Sequence, residues 1–91
     1  MSLLLRILDM SQDDVDVVLK AVKEEFYRSM VKHGPMKSPH DGWAVLLEEL
    51  DELWEHVRGN TARTPEAQKE AIQLAAMAVK FVLLPERVPG W

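Results

Sequence analysis

The chain has no cysteine, so it has neither a disulfide framework nor a thiolate metal site. A cysteine-free chain fits a cytoplasmic location, and that is the expected one. Positive charge is also scarce. Eleven Lys and Arg stand against fifteen Asp and Glu, for a net charge of −4 and a pI near 5.3. A protein that grips a nucleic-acid backbone needs a basic stripe, so nucleic acid is excluded as a partner. Long apolar runs are missing as well. The longest, Ala71–Leu84, is interrupted by Gln73 and Lys80 and is too short to span a bilayer. The start, MSLLLRILDM, lacks a basic leader and a small-residue cleavage site, which argues against a signal peptide. No internal repeat or low-complexity tract is present. What remains is a small soluble protein without a membrane partner.

Ninety-one residues, 47% of them hydrophobic and 29% charged, suit one globular domain spanning 1–91. Three hydroxyl residues stand where they can cap helices: Ser11 with Asp14 three residues on, Ser38 before Pro39 and Asp41, and Thr64 before Pro65 and Glu66. Acid in a first turn is favoured by the helix dipole. The reading is all-α, with three main helices over about 13–32, 39–58 and 65–84. Residues 1–10 form an N-terminal extension and residues 85–91 an irregular, proline-bearing tail. Gly34-Pro35 ends the first helix, Gly34 being suited to a left-handed cap and Pro35 unable to continue.

Val15, Val18, Val22, Phe26 and Ser29/Met30 make the expected inner stripe of the first helix. In the second, Trp43, Leu46, Leu47, Leu50, Leu53, Trp54 and Val57 fall within an arc of roughly 120°, one broad apolar face. Both tryptophans are assigned to the core. The third helix is apolar on two sides: Ile72, Ala76, Val79 and Leu83 on one, Leu74, Ala78 and Phe81 on the other. A helix apolar on two sides is packed on two sides, more than three helices of one small chain can cover. A helix-bundle homo-oligomer, a dimer or larger, is therefore expected.

Between those apolar sides runs a polar line of Glu66, Glu70, Gln73 and Lys80, whose members need partners if they are enclosed. On the second helix, Glu49 and Glu52 are one turn apart on the flank of the apolar arc. Like charges so close repel unless a cation lies between them, and oxygen-only ligands suit Mg²⁺ or Mn²⁺. An antiparallel third helix would bring Glu70 and the Gln73 amide oxygen to the same point. The alternatives are a solvated face for the acids, Glu48, Asp51 and Glu55 above all, and a hydrogen-bonded network for Glu70 and Gln73. Lys32, Lys37 and Lys80 are candidates for holding phosphate oxygens, and His40, in the first turn of the second helix, for contacting phosphate or serving as an acid at the mouth of the site. His56 is expected to pair with Glu52.

Glu49-Leu50-Asp51-Glu52-Leu53 and Glu70-Ala71-Ile72-Gln73, in that order on successive helices after a glycine turn, resemble the motifs of the MazG-like, all-α nucleoside triphosphate pyrophosphohydrolases. That family carries Glu-x-x-Glu on one helix and Glu-x-x-Asp on the next, in a helical dimer or tetramer. The resemblance runs over about residues 33–82. It implies Mg²⁺-dependent hydrolysis of an NTP or dNTP between the α- and β-phosphates, giving the monophosphate and pyrophosphate. Glu49, Glu52 and Glu70 would be metal ligands, with Glu49 and Glu52 also at the chemistry. The departure is Gln73, where the family has Asp. Three explanations stay open: Glu48 or another protomer supplies the missing charge, the metal binds only with nucleotide, or activity has been lost and the chain is a non-catalytic helical assembly or binding module.

Overall fold

The computed structural model describes residues 11–84; the N-terminal extension and the tail lie outside the described residues. The described residues are all-helical, with three helices and no strand: α1 Gln12–His33, α2 Pro39–Arg58 and α3 Pro65–Val82. Each start has the expected chemistry. The Ser11, Ser38 and Thr64 side chains accept from the backbone N–H of Asp14, Asp41 and Ala67, and at Ser11 the carboxylate of Asp14 accepts from the cap's own N–H to close a capping box. Pro39 and Pro65 open α2 and α3, where no partner for a backbone N–H is needed. Gly34 ends α1 at φ 74°, a conformation that L side chains rarely adopt.

The third helix is two residues shorter than expected. Leu83 and Leu84 donate their N–H groups to Val79 and Phe81, which tightens the last turn, and Pro85 then disfavours a helical Leu84.

Helix α3 is the middle element and packs against both α2 and α1. Its small residues make this possible: Ala67 and Ala76 are fully enclosed, and Met77 is buried. The core is Met36, Ala76 and Met77, with Val22, Phe26, Val45, Leu46, Phe81 and Leu84 packed on it. Met36 comes from the short connection between α1 and α2, so that connection is part of the core.

Several core assignments are corrected. Val18 is exposed, so the inner stripe of α1 is carried by Val22, Phe26 and Ser29. On α2, Trp43 and Trp54 are 62% and 54% exposed, with Leu47, Leu50 and Val57 exposed beside them. Only Leu46 and Leu53 of that arc are half-buried. Val79 on α3 and Leu83 just beyond its end are also exposed. One α3 helix is too narrow to cover a 20-residue helix with a seven-residue apolar arc, so most of the arc is left bare.

Candidate metal centre

The packing of α3 on α2 brings Glu70 against Glu49 and Glu52. One carboxylate oxygen from each lies within 4.8 Å of the other two. Residues 49 and 52 share a helical flank through their three-residue spacing, and Glu70 is supplied across the interface, as the sequence predicts. Glu49 and Glu70 are half-buried and Glu52 is exposed, so the trio has a closed side and a wet side.

The electrostatics of the trio are unfavourable as it stands. Burial pushes the Glu49 carboxyl above its ordinary value, and the charges of Glu70, Glu48 and Glu25 push it further. Glu52 is raised to about 7, chiefly because it shares a hydrogen bond with Glu70, with burial and the neighbouring acids adding to this. Glu49 Oε2 and Glu70 Oε2 are buried and have no hydrogen-bond partner among the described residues. A buried carboxylate oxygen without a partner costs several kcal/mol, on the order of 1–3 even for a neutral group. A solvated face does not account for these oxygens, and neither does a closed network from Glu70 to a Lys or His. A proton shared between Glu52 and Glu70 relieves part of this crowding, and three converging carboxylate oxygens are also the kind of ligand that hard Mg²⁺ or Mn²⁺ takes.

No family model, curated protein or solved structure matches the chain. The reading of the site therefore rests on its own geometry.

Next to the trio is a cleft of about 660 Å³, the size of a small-molecule site, with Glu49, Glu48 and Gln73 in its wall. Gln73 thus reaches the same space as Glu49. Glu48 lines the cleft but is not one of the three converging carboxylates; its charge acts on Glu49 and Glu52 from the side. The wall of the cleft is mixed in charge: Arg28, Lys32, Lys37, Lys69 and Lys80 stand beside Glu25, Asp41, Glu48 and Glu49, with Arg28 paired to Glu25. Lys37 lines it. Its backbone N–H also donates to Asp41 at 2.9 Å. His40 is exposed and does not line the cleft, so its expected phosphate contact is not supported by its position. His56 pairs with Thr61 at 3.0 Å instead of Glu52, because the turn after α2 folds back over its last residues.

Lys80 is 6% exposed, and its Nζ donates to Ser29 Oγ at 2.9 Å. Burial lowers its pKa, against a weaker pull upward from Asp41. The sequence reading did not assign Ser29, Arg28 or Lys69 to this cleft. A signal for Ser29 was present, since it is a hydroxyl on the inner stripe of α1. Arg28 and Lys69 carry none, being charged residues on helix flanks like many others.

Proposed function

We propose that the chain is a Mg²⁺- or Mn²⁺-dependent nucleotide pyrophosphohydrolase of the MazG-like type, cleaving an NTP or dNTP to the monophosphate and pyrophosphate. The observation that carries this reading is the convergence of Glu49, Glu52 and Glu70, two of whose oxygens are buried without partners. Glu49, Glu52 and Glu70 would hold the cation, with the Gln73 amide oxygen as a weaker fourth ligand. When bound, the cation supplies charge neutralisation for the phosphate chain and a more acidic water.

The chain's own residues do the rest. Glu52, exposed on the wet side of the trio, would act as the base that takes the proton of an attacking water. The adjoining cleft has room for a nucleotide, and its lysines offset the charge of the phosphates. The working form is a homo-oligomer, a dimer or tetramer. The bare arc of Trp43, Leu47, Leu50, Trp54 and Val57 is a larger apolar stripe than a helix normally leaves in water, and a second copy would cover it.

Two measurements test the reading together. Pyrophosphate release is assayed across NTPs and dNTPs with Mg²⁺ or Mn²⁺, and thermal melting is followed with and without the cation. At a cation concentration of about 100 Kd, a site formed only in the folded state adds about 2.7 kcal/mol, a clear rise in Tm. Glu49→Gln should abolish both the rise and the turnover.

A second reading has one observation in its favour. Gln73 gives the site a neutral oxygen where the resembled family has a carboxylate, and a non-catalytic helical assembly that kept the fold would tolerate that change. Absence of turnover with every nucleotide, even in Mn²⁺, would leave this reading standing.

A further inference from the structure

The cleft beside the acidic trio contains a second charged group that the metal reading does not use. Lys80 is more than nine-tenths buried, yet among the described residues no carboxylate lies within ion-pair distance of its Nζ. Its hydrogen-bond partner is the Ser29 hydroxyl, which is itself buried and whose Oγ is 3.9 Å from Met77 Sδ. Asp41 attracts it from farther off, but one Asp41 oxygen already accepts from the Lys37 N–H, and the residue lies at the start of α2. An ammonium has three protons to give, and a buried one without a counter-ion is costly to keep. Lys80 and Ser29 both line the cleft whose wall also holds Glu49. A charged donor and a hydroxyl are thus held rigidly, by two different helices, in a cavity that opens beside the trio.

We propose that Lys80 and Ser29 form an anion subsite of this cleft that takes a phosphate group of a phosphoanhydride, the part of the substrate that leaves as pyrophosphate. The identity of the anion rests on the nucleotide reading above; the binding of an anion by Lys80 does not. The bound anion supplies the negative charge that the buried ammonium lacks. The anion gains a charge-assisted hydrogen bond from Nζ and a second from the Ser29 hydroxyl, whose proton is held only by a weak sulfur acceptor. Lys80 is tethered by Ser29, so little side-chain freedom is lost when the anion arrives.

The test is calorimetric titration of the full chain with inorganic pyrophosphate, tripolyphosphate and orthophosphate in EDTA, without a divalent cation. Wild type should bind pyrophosphate and tripolyphosphate more tightly than orthophosphate. Lys80→Met should weaken pyrophosphate by at least about tenfold, as expected for truncating one partner of a buried charge pair. Ser29→Ala should weaken it less, and Lys80→Arg should retain most of the affinity. Lys80→Met replaces a buried charge by an apolar chain of similar length, so folding should be preserved, as melting will report. Equal affinity of wild type and Lys80→Met for pyrophosphate would overturn the proposal, as would equal binding of orthophosphate and pyrophosphate, or no binding by wild type. The Mn²⁺-induced rise in Tm, measured on the same variants, reads the acidic trio separately. Its absence beside Lys80-dependent pyrophosphate binding would sink the metal reading and keep the subsite.

Discussion

Gly42 lies so close to Phe81 that a Cβ on it would be 2.7 Å from the ring's Cδ2, and 2.8 Å from Met36 Sδ. The first turn of α2 therefore meets α3 and the α1–α2 connection at a point where only a hydrogen fits. This contact sets how closely the two helices carrying the carboxylates approach.

Gly42→Ala should accordingly destabilise the fold. Alanine gains about 1 kcal/mol in helix propensity, but overpacking costs about 1–3 kcal/mol, and both neighbours sit in the core. A net loss of about 1 kcal/mol would lower Tm by several degrees in a domain of this size. Adding Phe81→Leu should recover part of the loss, because the smaller side chain gives way. Melting curves of the single and double variants check this, and an unchanged Tm for Gly42→Ala would contradict the close approach.

The acidic trio predicts an unusual pH dependence for the metal-free protein. A carboxyl raised in the folded state holds its proton more tightly there than in the unfolded chain, so stability falls as pH rises from the ordinary carboxyl value of 4.5 to about 7 for Glu52. Glu49 shifts in the same direction. Metal-free Tm should therefore decline over that window, and Glu52→Gln should flatten the decline. Adding Mn²⁺ should reverse it, since the cation needs the deprotonated forms. A Tm that rises with pH across the window in EDTA would count against a crowded, partly protonated trio.

Gln73→Asp places a fourth charge in the wall shared with Glu49. If that wall borders the cation, Mg²⁺ affinity should tighten by roughly tenfold, about 1.4 kcal/mol, because a charged ligand is worth more than a neutral amide oxygen. Without metal, the added charge should lower Tm. Cation titrations of both forms decide the matter; unchanged or weaker affinity removes Gln73 from the ligand set.

The bare arc on α2 makes a prediction about assembly. Sedimentation should find wild type larger than a single chain, and Leu50→Lys, in the middle of the exposed arc, should shift it toward monomer. A monomeric wild type at high concentration would instead leave the arc to some other cover.

The sequence was most legible where the physics is local. Ser11, Ser38 and Thr64 announced three helix starts because capping depends on a side chain reaching a backbone group three residues on. The Glu49–Glu52 pair follows from helical periodicity, and Glu70 was found because a carboxylate between two apolar sides needs a reason. Burial was legible only in part. Trp43 and Trp54 lie on an apolar arc, but periodicity says which residues share a face and not whether anything covers it. Ser29 meets Lys80 across 51 positions of sequence, a pairing that depends on how α1 leans on α3 and that no spacing encodes. His56 pairs with Thr61 for the opposite reason: a local turn, with Asn60 at φ 62°, brings the Thr61 hydroxyl to 3.0 Å from its ring.

The two tryptophans left in water on α2 have a practical consequence. Indole emission moves to shorter wavelength when its surroundings dry out, and Trp43 and Trp54 are two of only three tryptophans in the chain. Dilution of the unlabelled protein should therefore register in its own fluorescence: a red shift as copies separate, and a constant spectrum if they never met.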